Sequence, residues 1–430
     1  MKIIWVTNLR LPIIDSILGE ETNFFGGGWL TGLLEEVLKQ PENELIICYP
    51  EYTSKTLVVG EKGRLKFFGF PLDSKATRLG ELKIDVIQEL FINILNENNP
   101  DVIHIHGTEF QYAYAMALAA KNTGMLNRTA ISIQGLVSVY AKHSYGNLPR
   151  NTKIRKTVKE WVIKDGLIDR YCSLTRRGDS EIKAINTVKH IIGRTRWDFA
   201  NTKMINPNCN YHHSNETLRN EFYSGSWEYS ECIKHSIFVS QAGTAIKGFH
   251  MVIEALKIVK EFYPDVQLNV AGPNITKGNW INGNAYGLYL KEKIIEKDLQ
   301  KSIHFTGPIS AMQMKEYMLN SNVFVSASSI ENSPNSLGEA MLLGVPCVTS
   351  DVGGVTDMIV HNAEGYCYPA DAYEMLAYYI IKVFKQGEQV QQMTTQAKNH
   401  ARKTHDPQEN IESLFKIYEM LSRDSEQIKS

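Results

Sequence analysis

Glu331 and Glu339 bracket the stretch Glu331-Asn332-Ser333-Pro334-Asn335-Ser336-Leu337-Gly338-Glu339, a Glu-x7-Glu pattern. The stretch follows an apolar run, Val323 to Ser326, and leads into the helix-like Ala340-Met341-Leu342-Leu343. A strand-to-helix turn of this kind presents unpaired backbone N–H groups and the positive end of the helix dipole, a seat for a diphosphate. A carboxylate only accepts hydrogen bonds, so one on either side can hold hydroxyl groups. Were all nine residues helical, the two Glu would lie about 12 Å apart at a rise of ~1.5 Å per residue. That is too far to share a proton, but it is comparable to the length of a ribose-diphosphate-sugar. The pair reads as clamps on the two ends of one sugar nucleotide, with Asn332, Ser333, Pro334, Asn335, Ser336 and Leu337 as the donor-binding turn between them.

A cation for the diphosphate is expected at Lys247, in Gln241-Ala242-Gly243-Thr244-Ala245-Ile246-Lys247-Gly248-Phe249, where a strand gives way to a helix near His250. Gly26-Gly27-Gly28 precedes another expected helix, and its missing Cβ atoms let backbone approach a phosphate or sugar. A dinucleotide fingerprint would need Gly-x-Gly-x-x-Gly directly after the first strand, which instead runs into Asn8-Leu9-Arg10-Leu11-Pro12.

Glu-x7-Glu, then Ala340-Met341, Gly344-Val345-Pro346 and Asp351-Val352-Gly353-Gly354, resembles family four of the retaining GT-B glycosyltransferases, and the run from Ser328 to Gly354 keeps that family's order. The resemblance implies that Glu331 contacts the transferred sugar and Glu339 the nucleotide ribose. It implies a donor-binding loop at Gly27 and Gly28, and catalytic roles for Lys247 and Glu331. Asn99-Pro100-Asp101-Val102-Ile103-His104-Ile105-His106-Gly107 resembles the family's Pro-Asp-x-x-His-x-His-Gly strand, putting His106 and Glu109 on the acceptor side, with His104 packed inside.

The chain departs from the family twice. The family pattern Gly-Arg-x4-Lys-Gly keeps its Lys-Gly here, but the Arg position falls at Ala242. Arg194 or Arg196, in Gly193-Arg194-Thr195-Arg196-Trp197-Asp198, is the candidate replacement, against a surface ion pair with Asp198; Arg194 is placed among the donor-binding residues. The strand ending Ser132-Ile133-Gln134-Gly135 carries Gln134 where many members have His. Gln134 cannot titrate, but it can hydrogen-bond the donor sugar and is placed with Lys247 and Glu331 among the catalytic residues, and a departing phosphate oxygen can accept the acceptor's proton. No Asp-x-Asp occurs, so no metal or other cofactor is expected, and Lys247 and helix N-termini are expected to stabilise the leaving diphosphate.

These residues need two α/β frames to hold them. Short β-rich runs alternate with helical patterns along all 430 residues, more than one core usually holds. Expected strands are 2–7, 44–49, 65–68, 102–106, 130–134, 171–174 and 188–192, then 237–241, 267–271, 303–306, 323–326, 346–350 and 365–368. The expected fold is GT-B: two doubly wound Rossmann-like domains facing a central cleft, 1–212 on the acceptor side and 213–405 binding the donor. Residues 406–430 form a helix crossing back to the first domain.

A formal net charge of -1, from 46 basic and 47 acidic residues, argues against a nucleic-acid partner. The six Cys form no Cys-x-x-Cys pair and read as reduced core thiols. The first residues read as a buried strand rather than a signal peptide, and no apolar run nears the roughly 18 residues of a spanning helix. The expected location is cytoplasmic. Lys153 to Lys164 is a basic amphipathic stretch with Trp161 beside its apolar side, which can pack on the first domain or lie on an anionic membrane surface. The expected partners are a UDP- or GDP-sugar donor and a saccharide or lipid-linked acceptor, the reaction serving surface polysaccharide assembly; the oligomeric state is open. Two rivals stand beside this reading: a degenerate GT-B subunit that binds a sugar nucleotide without turnover, and a sugar-nucleotide epimerase or hydrolase.

Overall fold

The computed structural model describes residues 1–20 and 28–426. The chain forms two compact units. The first comprises 1–141, 172–217 and 406–430; the second comprises 142–171 and 218–405.

The first unit is built on β1 (Lys2–Val6), β2 (Glu44–Glu51), β3 (Val58–Lys62), β4 (Leu65–Pro71), β5 (Val102–His106), β6 (Thr129–Ser132), β7 (His190–Gly193) and β8 (Asn210–His213). Their order is β3-β4-β2-β1-β5-β6-β7-β8, parallel except for the antiparallel β3–β4 pair. Along β1, Ile3 and Trp5 enter one apolar cluster while Ile4 and Val6 enter another, because successive side chains of a strand point to opposite faces. The sheet is therefore covered on both sides, which explains strands that read as continuous apolar runs.

The second unit holds β9 (Ile233–Val239), β10 (Gln267–Val270), β11 (Ile303–Phe305), β12 (Ser321–Ser326), β13 (Cys347–Ser350) and β14 (Tyr366–Tyr368), all parallel, in the order β11-β10-β9-β12-β13-β14. The first strand thus lies beside the fourth, and the order reverses between β9 and β12, with Phe238 paired to Phe324. In such sheets a ligand binds beyond the carboxyl ends of the strands flanking the reversal.

Three parts of the sequence reading change. Residues 171–174 are helical, within Leu167–Thr187, whose apolar spacing over 21 residues outweighs a short β-prone run. The basic stretch is not one helix but two short ones, Arg150–Lys153 and Val158–Ile163, the second opened by a Thr157/Glu160 capping box. Residues 142–171 pack within the second unit: Leu148 and Leu167 enter its core, and the buried His250 bonds through Nε2 to the carbonyl of Gly146.

The last helix, Pro407–Glu426, lies in the first unit. Tyr418 accepts from Trp5 Nε1 (3.0 Å) and bonds His104 Nδ1 (2.7 Å), and His104 Nε2 meets Ser132 Oγ. Burial holds His104 at a pKa of about 3 and His250 at about 4. Both are lowered, so below the ordinary His value of about 6.5 the unfolded chain takes up protons that the folded chain does not. Stability then falls as pH falls. Through His250 alone we expect a loss of about 3 kcal/mol between pH 7 and pH 4, at ~1.4 kcal/mol per pH unit. Urea unfolding at the two pH values checks this, since His250→Gln should flatten that part of the slope.

Candidate active site

In the second unit the chain beyond β9 and the chain beyond β12 run against each other. Ser329 N–H donates to the carbonyl of Ile246 (2.8 Å). Gly248 has φ +66°, and a Cβ there would lie 1.8 Å from the carbonyl oxygen of Ala327, so the second residue of Lys247-Gly248 must be glycine. The Gly-Gly loop after β13 makes the same kind of approach. Gly353 has φ +53°, a Cβ on it would come within 1.9 Å of Glu331 O, and Gly354 N–H donates to that oxygen (3.0 Å). Ser350 Oγ donates to Ser328 O (2.6 Å). Glycines in two separate loops thus fix the backbone around Glu331.

The side chains brought together are Lys247 and Glu331, paired at 2.5 Å, with Ser328 Oγ donating to the same carboxylate oxygen (2.7 Å). Glu331 is buried, while the Lys247 side chain keeps 27% of its surface exposed. The lysine side chain is therefore open to a ligand on one side while its ammonium pairs with Glu331 on the other.

The helix after the turn takes in only Asn335–Leu343, so the all-helical spacing between the two Glu does not hold for its first four residues. No side chain caps this helix, and Ser336 Oγ accepts from Ser240 Oγ (3.1 Å). Ser333, Pro334, Asn335 and Ser336 are half-buried and Asn332 is buried. The Leu337 side chain lies in the core, and its N–H bonds Pro334 O (3.0 Å).

Glu339 is 1% exposed and accepts two bonds from Arg219, Nε to Oε1 and Nη2 to Oε2, both 2.7 Å. Burial raises its pKa, and the guanidinium opposes that rise. Each carboxylate of the Glu-x7-Glu pattern thus carries its own cation. Ala242, where the family has Arg, is packed in the core.

In the first unit, Gln134 lies just beyond β6 and joins Arg194 and Glu216. Arg194 pairs with Glu216 and donates from Nη2 to Gln134 Oε1 (3.0 Å), while Gln134 Nε2 donates to Glu216 Oε1. Asp198 accepts from the Arg194 backbone N–H (3.0 Å) and caps the helix Arg196–Ile205 in a box with Thr195. His106 ends β5, as expected, but its ring is buried between Trp5 and His104 rather than presented to an acceptor. Burial, with His104 alongside, holds its pKa well below the ordinary value, so it is neutral. Glu109 is half-buried and accepts from Asn8 Nδ2 (2.8 Å), its pKa raised by burial. Gly107, at φ +99°, leaves room for that carboxylate, which a Cβ would approach to 2.1 Å. Gly28 opens the helix Gly28–Lys39, and Gly27 lies outside the described residues.

Sequence reasoning missed Arg219 and Glu216, which fall in the aperiodic stretch 195–227 and carry no local signal, and Ser328, which the Ser328-to-Gly354 pattern contains. All six Cys are free thiols. Among the described residues no three His, Cys, Asp or Glu side chains are grouped to hold a metal ion, and no helix is long and apolar enough to cross a membrane.

Residues 233–400 match the model of a family described as glycosyl transferases group 1. The amylovoran biosynthesis glycosyltransferase AmsK of Erwinia amylovora is 26% identical over 151 residues, 34% of this chain and 34% of that protein. The chain spans about a third of the length of that relative. Sucrose-phosphate synthase from Thermosynechococcus elongatus superposes with a TM-score of 0.71 at 12% identity, covering 98% of this chain and 99% of that one. HepE of Anabaena, solved with UDP-glucose, superposes with a TM-score of 0.65 at 14% identity, covering 97% and 99%. At these identities the likeness shows the fold, which is that of the GT-B glycosyltransferases.

Proposed function

We propose that the protein, whose residues 233–400 match the glycosyl transferases group 1 model, is a retaining, metal-independent glycosyltransferase. It moves a hexose-type sugar from a nucleoside diphosphate to a saccharide or lipid-linked saccharide in surface polysaccharide assembly. The observation that carries this reading is the Lys247–Glu331 pair, set beyond the carboxyl ends of the two strands where the sheet order reverses. HepE, which shares the fold, is solved with UDP-glucose, which makes that donor the first to try. AmsK, described as an amylovoran biosynthesis glycosyltransferase, supports a role in sugar transfer.

In this reading the donor diphosphate takes the Lys247 ammonium from Glu331, and the freed carboxylate accepts hydrogen bonds from sugar hydroxyls. The bond between the anomeric carbon and the diphosphate oxygen breaks, and its electron pair leaves with the diphosphate. Lys247 stabilises that charge. The acceptor oxygen bonds the same face of the sugar, and its proton passes to the departing oxygen. Glu339 meets the ribose by exchanging one of its two bonds to Arg219. Gln134 is assigned to the donor sugar and Glu109 to the acceptor.

Nucleoside diphosphate release is to be followed over a panel of sugar donors, with and without saccharide acceptors, in excess EDTA. Acceptor-dependent release that survives the chelator, with the donor's anomeric configuration kept in the product, is the expected result. Release without an acceptor would favour a hydrolase. Thermal shifts with no turnover on any donor would favour a binding subunit, and loss of turnover in EDTA would end metal independence.

A further inference from the structure

The helix Val158–Ile163 is amphipathic the wrong way round. Val158, Trp161 and Val162, at i, i+3 and i+4, share one face, and all three are exposed. Its only carboxylate, Glu160, is turned inward, where it accepts from Thr157 N and from Ala285 N, at 3.0 and 3.1 Å. A helix whose apolar stripe served the core would show the opposite pattern.

The stripe has company. Val158 N–H donates to Trp280 O and Lys159 N–H to Ile281 O, both at 2.9 Å, so the loop carrying Trp280 and Ile281 is fastened to the first turn of this helix. Thr157 Oγ1 adds a bond to Gly283 O (3.1 Å). Ile154, Val158, Trp161, Val162, Trp280 and Ile281 are all exposed, from 45% at Trp280 to 74% at Trp161. The fastening leaves the loop no easy route to withdraw its apolar side chains. Large aliphatic and indole groups held in water on one face mark an interaction surface.

Charge identifies the occupant. Residues 153–164 carry five basic side chains and one acid, the inward Glu160. Arg155 and Lys156 are paired with Glu292 and Asp169. Lys159 on the helix, Lys164 just past its end, and Lys277 beside the loop are exposed. Indole and aliphatic groups rimmed by lysines suit the boundary of an anionic bilayer, where the apolar groups enter the acyl region and the ammonium groups meet headgroup phosphates.

We propose that Val158–Ile163 and the Trp280–Ile281 loop form one membrane-docking face for anionic lipid. This face rests on no assumption about the chemistry performed elsewhere in the chain, and its test needs no donor. The intact protein is sedimented with vesicles of phosphatidylcholine alone or with about one-third phosphatidylglycerol, at low and high salt. Binding confined to the anionic vesicles and weakened by salt is expected. Lys159→Gln should weaken it by about fivefold, and Trp161→Ser/Trp280→Ser by tenfold or more, about the loss of one or two buried apolar groups. Both Trp are exposed, so the double variant should keep the wild-type circular dichroism. No binding, equal binding to neutral vesicles, or equal binding by the folded double variant would overturn the proposal. So would self-association that the double variant relieves without any vesicle binding, which would make a second copy the occupant.

Discussion

Lys247→Ala is expected to lower kcat by about 10²–10³-fold, the scale for removing one preorganised charge partner from a transition state. The expected change in KM is smaller, because the uncapped helix start at Asn335 would, on this proposal, still offer its backbone N–H groups to the diphosphate. Stability should fall, but by less than for a fully buried pair. Glu331 is buried and loses its cation, yet it keeps its bond from Ser328, and the lysine it loses is more than one-quarter exposed. That contrast makes the variant informative. A folded Lys247→Ala protein turning over at the wild-type rate would remove the ammonium from the reaction, and with it the proposed handling of the leaving group. Glu331→Gln is its companion: the amide keeps the shape but cannot pair with Lys247, so donor binding and turnover should part company in steady-state kinetics.

Arg219→Ala has the opposite profile, a large cost in stability whatever happens to turnover. The guanidinium satisfies both oxygens of a carboxylate that is 1% exposed, and removing it leaves a buried charge without its partner, which costs about 3–5 kcal/mol. Burial already pushes Glu339 upward, and without Arg219 nothing opposes that rise. A carboxyl whose folded pKa is raised is tolerated when protonated and penalised when charged. The deficit should therefore shrink as pH falls towards 5 and grow above it. Urea unfolding across that range measures the trend, and Arg219→Ala/Glu339→Gln should recover most of the loss at neutral pH. A single variant as stable as wild type at pH 8 would show that the pair contributes nothing to the fold.

Much of the second unit could be read before any coordinates existed. Strands near 237, 267, 303, 323, 346 and 365 announce themselves as short apolar runs, since parallel strands covered on both faces show no polar alternation. Lys247, Glu331 and Glu339 stood out because local spacing carries them: a strand, a turn and a helix start lie within a few residues of one another. The partners of those residues were not legible. Arg219 meets Glu339 across 120 positions and Glu216 meets Gln134 across 82, and nothing in the local pattern of 195–227 marks either. The burial of His106 follows from Trp5 and His104 on neighbouring strands, a matter of register that a motif cannot express. Tyr171–Leu174 read as a strand because four residues look alike in both states; only the full 21-residue helix decides it.

The bonds from Trp5 and His104 to Tyr418 bear on how the protein is made. On a ribosome Trp5 emerges 413 positions ahead of Tyr418, which lies in the helix that seals one side of its sheet. The second unit, contained between residues 142 and 405, can mature first. The strands made earlier must wait with an open apolar wall, exposed to chaperones and proteases, until that helix arrives. A chain truncated just before Pro407 would leave the sheet around β1 unfinished rather than the unit that precedes the cut.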